Sequence, residues 1–120
     1  MDRTLIGIDI GTTGLKSNLV SEAGRIVAHA YSGYALNTPG AGRCEQDPED
    51  WWRALTKTVR AVASGREESV VALSLSLQGG TLVPVDEYFR PLHPALVWSD
   101  VRCEEQRRQF ASRFGEDYMY

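Results

Sequence analysis

The chain has 120 residues, of which 42% are hydrophobic and 24% charged, and its net charge is -3. That length supports one modest core, and that composition belongs to a folded chain rather than a disordered one. A weakly acidic chain without a basic run argues against a nucleic-acid partner, and no apolar stretch is long enough to suggest a membrane span.

Thr4 to Ile10 is apolar and rich in Ile, which predicts a strand. Gly11-Thr12-Thr13-Gly14 is a turn, and Leu15 to Val20 predicts a second strand. Glu22-Ala23-Gly24-Arg25 is another turn, followed by a third strand over Ile26 to Tyr34. Ala35 to Glu45, with Pro39, Gly40 and Gly42, is a loop. Asp47-Pro48-Glu49-Asp50 predicts a helix start: Asp47 can accept from first-turn amides, Pro48 fits the first helical position, and acids suit the positive dipole end. Trp52, Leu55, Val59 and Val62 recur at helical spacing and are the expected core stripe, with Gly65 as the stop. Trp51 lies off that stripe and is expected under the Pro39 to Glu45 loop.

Val70 to Leu77 is rich in β-branched residues and predicts a strand, which Gln78-Gly79-Gly80 ends. Short strands are expected over Thr81 to Val85 and Pro94 to Trp98, and a helix over Val101 to Phe114. Glu104, Glu105, Arg107 and Arg108 form a solvated helix face, and His29 and His93 are structural or surface residues. Cys44 and Cys103 lack disulfide-framework or zinc spacing, which points to free thiols in a reducing cytoplasm. The Met1-Asp2-Arg3-Thr4 start shows no secretory apolar region, because Asp9 breaks the run. A meander of three strands followed by a helical crossover implies an α/β chain with a mixed sheet. A ribonuclease-H-like fold fits that order better than a plain doubly wound fold, which would place a helix after the first strand.

The strongest chemical signal is Ile8-Asp9-Ile10-Gly11-Thr12-Thr13-Gly14-Leu15-Lys16. Glycines in a turn after a strand let backbone N–H groups approach an anion, two Thr hydroxyls add donors, and Lys16 adds positive charge. The Walker spacing is absent, since Leu15 follows Gly14, and Asp9 stands where a dinucleotide fingerprint needs its first glycine. A carboxylate beside a phosphate repels it unless a cation intervenes, so Asp9 points to magnesium, held through water. The alternative is an ordinary hairpin with a surface acid.

Asp9-Ile10-Gly11-Thr12-Thr13 resembles the first phosphate motif of the actin, hexokinase and heat-shock ATPase superfamily. Glu45-Gln46-Asp47-Pro48-Glu49-Asp50-Trp51-Trp52 resembles the segment that opens the first helix of FGGY carbohydrate kinases, xylulokinases especially. Pro94-Ala95-Leu96-Val97-Trp98-Ser99-Asp100-Val101-Arg102-Cys103 resembles a further segment of that family. The match runs from Ile6 to about Gln106, and residues 1–120 read as the amino-terminal part of the family's first domain, without its second. The resemblance implies transfer of the ATP γ-phosphate to a sugar hydroxyl, with magnesium. Asp9, Gly11, Thr12, Thr13 and Lys16 would serve phosphate, and Gln78, Gly79, Gly80 and Asp100 the sugar.

Each sugar-side residue has a plainer explanation. Gln78 could be an exposed turn amide, Asp100 could cap a helix beginning at Val101, and Trp98 is more simply a core residue than a stacking ring. Xylulokinases carry Gln-Met-His-Gly where this chain has Gln78-Gly79-Gly80, which leaves the sugar open, a ketopentose such as D-xylulose being favoured. The family's general base, second phosphate motif and adenosine motif lie later and are absent from residues 1–120. The chain stops at Asp117-Tyr118-Met119-Tyr120 without a closing element, so it is expected to be inactive alone and to self-associate through uncovered surfaces. A sharp two-state melt from a monomer would count against that. The competing expectation is a sugar- or nucleotide-binding remnant, or one half of a split kinase.

Overall fold

The computed structural model describes residues 3–119, so the expectations placed on Met1, Asp2 and Tyr120 lie outside the described residues. Strands β1 (Thr4–Ile10), β2 (Gly14–Ser21) and β3 (Ile26–Gly33) form the predicted meander. They are followed by the two-residue strand β4 (Glu45–Gln46), helix α1 (Pro48–Ala63) and β5 (Val70–Leu77). The two-residue β6 (Ala95–Leu96) and helix α2 (Glu104–Phe114) complete the order, with short 3-10 turns at Glu67–Ser69 and Glu116–Met119.

The main sheet has the order β3-β2-β1-β5. Its hairpins are antiparallel, while β5 returns parallel to β1 through α1, so the sheet is mixed. Alternation within the strands decides which face α1 covers. Ile6 and Ile8 of β1 and Leu15 and Leu19 of β2 point to one side and meet Ala54 and Val62 of α1. Ser17 and Thr58 face each other in this core and satisfy one another at 2.8 Å. Asp47 caps α1 as predicted, accepting from the Glu49 amide at 2.9 Å with Pro48 in the first turn. Gly65, at φ 71°, turns the chain out of it.

Several predicted elements change. The α1 stripe rotates: Ala54, Thr58 and Val62 are its buried residues, Leu55 and Val59 are half-covered, and Trp52 is 61% exposed rather than core. The reason is tertiary. Trp52, Leu55 and Val59 line a groove of about 280 Å³ with Ile8, Leu73 and Leu75, and nothing among the described residues fills it. Thr81 to Val85 makes only isolated bridges, Leu82 to Leu96 and Val85 to Pro91, because Pro84, Pro91 and Pro94 bring no N–H to a ladder. The expected Pro94 to Trp98 strand contracts to Ala95–Leu96 and pairs with β4 instead of joining the main sheet.

Candidate functional site

The carboxyl ends of β1 and β5 lie side by side, and both glycine-containing segments emerge there. The Gln78 amide donates to the Ile10 carbonyl at 2.9 Å, so the segment after β5 starts beside the turn after β1. The β1–β2 turn is closed by the Gly11 amide donating to the Gly14 carbonyl at 3.0 Å. Its carbonyls are tied down one by one. The Tyr34 hydroxyl donates to Gly11, the Gln46 side-chain amide to Thr12 at 2.6 Å, and the Tyr31 hydroxyl to Thr13 at 3.1 Å. The neighbouring Thr12 and Thr13 N–H groups make no hydrogen bond with any described residue. A turn whose carbonyls are engaged and whose adjacent amides are free is an electropositive concavity suited to an anion. A Cβ at Gly14 would overlap the Tyr31 ring, so a side chain there would push the Tyr31 hydroxyl off the Thr13 carbonyl.

Asp9 and Lys16 are direct cross-strand neighbours, with Ser76 of β5 on the other side of Asp9. Both lie on the exposed face opposite α1, and no ion pair joins them among the described residues. On that face Asp9, Gly7, Asn18, Ser74 and Ser76 surround a shallow depression of about 240 Å³. Burial, then Tyr31, then Asp9 push the Tyr34 hydroxyl up to about 12, so it stays a proton donor to Gly11 at neutral pH.

A second layer comes from residues that sequence reasoning assigned elsewhere or missed. Trp98 is not a core residue: it is 60% exposed, and its indole N–H donates to the Thr12 hydroxyl at 3.1 Å. Gly80, at φ 67°, packs against Trp98, where a Cβ would meet the Trp98 Cβ at 3.4 Å, whereas Gly79 faces open space. Gln46 is wholly buried, and its carbonyl oxygen accepts from the Trp51 indole at 3.2 Å and from the Gln78 amide at 2.9 Å. Trp51 therefore packs toward Gln46. The only sequence signal for Gln46 is its place in the Glu45 to Trp52 motif.

Asp100 does not cap a helix at Val101. Its carboxylate accepts from the Cys44 amide at 2.7 Å and from the Arg102 amide and guanidinium. The turn this imposes delays α2 to Glu104, and no side chain caps it. Arg102 also reaches Glu45 at 2.6 Å. The Arg102 guanidinium, followed by the Cys44 and Arg102 amides, outweighs burial and holds the Asp100 carboxyl well below the usual carboxylate range. This cluster fastens the Trp98-bearing segment to the Gly42 to Gln46 segment, helped by Val97 donating to Cys44 at 3.0 Å and Val101 to Gly42 at 2.8 Å.

No cluster of three or more His, Cys, Asp or Glu side chains gathers among the described residues. Magnesium does not need one. A hard cation that keeps its waters and bridges phosphates is commonly bound through one or two carboxylates, and exposed Asp9 beside the free-amide turn fits that role.

Residues 4–120 match the model of the FGGY family of carbohydrate kinases, N-terminal domain. The chain is 33% identical over 115 residues to xylulose kinase of Lactococcus lactis subsp. lactis (strain IL1403), covering 93% of this chain and 23% of that protein. It is 35% identical over 105 residues to gluconokinase of Bacillus subtilis (strain 168), covering 87% of this chain and 20% of the relative. Its backbone matches the crystal structure of xylulose kinase from Rhodospirillum rubrum with a TM-score of 0.89 and 25% identity, over 97% of this chain and 24% of that one. The chain thus spans less than a quarter of the length of these relatives, and its fold is that of the actin/hexokinase-like ATPases. The chain belongs to the FGGY family of carbohydrate kinases and matches that family's N-terminal domain.

Proposed function

We propose that the polypeptide carrying this chain transfers the γ-phosphate of ATP to a sugar hydroxyl, a ketopentose such as D-xylulose being favoured. The observation that carries this is the β1–β2 turn, whose carbonyls are engaged by Tyr34, Gln46 and Tyr31 while the Thr12 and Thr13 amides are free. Phosphoryl transfer rests on positioning and on charge stabilisation, and preset amides serve both. In this proposal Gly11, Thr12, Thr13 and Lys16 hold phosphate oxygens, and Asp9 orients magnesium through its water shell. Magnesium, when bound, neutralises phosphate charge. Gln78, Gly79, Gly80 and Asp100 belong to the sugar wall. Gln78 offers polar contacts, Gly79 leaves space, Gly80 packs against Trp98, and Asp100 holds the wall against the Cys44 segment.

The general base and the adenosine-binding residues lie outside residues 1–120 in this reading, so the isolated chain is inactive. The open α1–β5 groove supports self-association of the isolated chain. Free Cys44 and Cys103 fit a cytoplasmic setting, and no described helix is long and apolar enough to cross a membrane.

The test uses the full-length polypeptide with magnesium–ATP and D-xylulose, gluconate or glycerol. Sugar-dependent ADP release is expected, largest with D-xylulose. Asp9→Ala should abolish turnover and leave sugar binding by calorimetry largely intact. Absence of ADP release with every acceptor would sink the kinase proposal, and retained nucleotide binding in that case would favour a binding protein.

A further inference from the structure

The Gln46 side chain has a forced orientation. One end faces the Thr12 and Ala35 carbonyls at 2.6 and 3.3 Å, and carbonyls only accept, so that end is the NH2 group. The other end faces the Trp51 indole N–H, which only donates, so it is the oxygen. The consequence passes on to Gln78. The Gln78 atom 2.9 Å from the Gln46 oxygen must be a donor, which makes it Nε2 and leaves Gln78 Oε1 as the other end. That oxygen is buried and has no partner. An acceptor left in this state is costly until a donor reaches it.

We propose that Gln46 is a positioning residue that couples the phosphate-holding turn to the sugar side of the site. It sets the polarity of Gln78 so that Gln78 Oε1 accepts from a substrate hydroxyl. The proposal rests on the kinase reading above for the identity of the ligand, but the coupling itself belongs to the folded chain. One buried amide holds the Thr12 carbonyl with one end and the Gln78 side chain with the other. A shift at the phosphate turn therefore moves the Gln78 amide, and the reverse. Thr12 is also gripped by Trp98, which packs on Gly80, so both routes from the turn reach the Gln78 to Gly80 segment. A hydroxyl satisfies the orphaned oxygen, whereas a carboxylate in the same place would repel it.

The test is a double-mutant cycle in the full-length polypeptide, with KM for sugar and kcat measured separately. Gln46→Met and Gln78→Met should each raise the sugar KM about tenfold, while the double variant exceeds Gln78→Met by no more than about twofold. Factors that multiply in full would overturn the proposal, because Gln46 would then not act through Gln78. An unchanged sugar KM with only a lower melting temperature would also overturn it. If Gln46→Met does not fold, Trp51→Phe removes one donor from the same oxygen and leaves the Thr12 contact in place. It should raise the sugar KM about threefold, and no change would count against the proposal.

Amide hydrogen exchange decides the coupling independently of catalysis. Gly11 and Gln78, whose amides bond to Gly14 and Ile10, should lose protection together in the variant. Loss confined to one of them refutes the coupling. A wild type that phosphorylates no sugar would remove the kinase reading, and the exchange result would still decide the role of Gln46.

Discussion

Residues 4–78 and residues 79–119 are built on different principles. In the first region α1 sets Ala54, Thr58 and Val62 against buried Ile6, Ile8, Leu15 and Leu19. In the second, α2 buries no residue, and its Phe110 and Phe114 rings and the Tyr118 ring of the following turn form tilted pairs at 4.7 and 6.1 Å along an exposed edge. Ala95 and Val97 of the second region are buried, and polar fastenings add to that hold: Asp100 on the Cys44 amide, Arg102 on Glu45 and Trp98 on Thr12. The radius of gyration, 18.4 Å against roughly 14 Å expected for a compact chain of this length, reflects that extended second part. The contrast separates scaffold from site wall. Apolar burial fixes the sheet that presents Asp9 and the free amides, and directional hydrogen bonds orient the segment that carries Trp98.

Three measurements would break or sharpen this contrast. The largest effect is expected from Leu19→Ala, which empties a fully buried position of the sheet. A loss of about 2–5 kcal/mol in urea denaturation is expected. A loss below 1 kcal/mol would mean that the sheet is not the stabilising core.

Acid should act next, and on the second region. The Asp100 carboxyl is held below its ordinary value of 3.8 in the folded chain. Its contribution is therefore complete above that pH and disappears as pH falls from there through the lower folded value. Pepsin applied between pH 4 and pH 2 should cut within residues 79–119 before it cuts within 4–78. Asp100→Asn should be cut there already at pH 4. Equal cleavage of both regions at every pH would remove the distinction.

The smallest effect is expected from Phe110→Ala, within about 0.5 kcal/mol, because the ring is exposed and Ala is the better helix former. A loss comparable with that of Leu19→Ala would show that α2 is packed in solution.

Much of the scaffold was legible residue by residue. The Ile-rich Thr4 to Ile10 run, the Gly24 turn, the Asp47-Pro48 cap and the Gly65 stop each depend on near neighbours, and each is found as expected. Trp52 was misplaced because helical periodicity reveals a face but not what covers it. Trp98 was misplaced because an aromatic in an apolar run looks like core until the turn it touches, 86 residues away, is known. The Gly-Thr-Thr-Gly turn was visible as a phosphate candidate, but not the means by which its carbonyls are held. Tyr31 and Tyr34 come from β3 and its end, and Gln46 from β4, 34 residues beyond Thr12.

The sequence by itself determined the order of the long strands and helices, the hairpin-led mixed sheet and the family to which the chain belongs. Strand alternation, turn glycines and short motifs are local, and local chemistry is written in consecutive residues. Only the tertiary structure decided that Gln46 joins Thr12 to Gln78, that Asp100 binds the Cys44 amide instead of capping α2, and that Trp98 stands beside Thr12. Each is a hydrogen bond between segments 32 to 86 residues apart, and the folding of the sheet around α1 brings those donors and acceptors within reach.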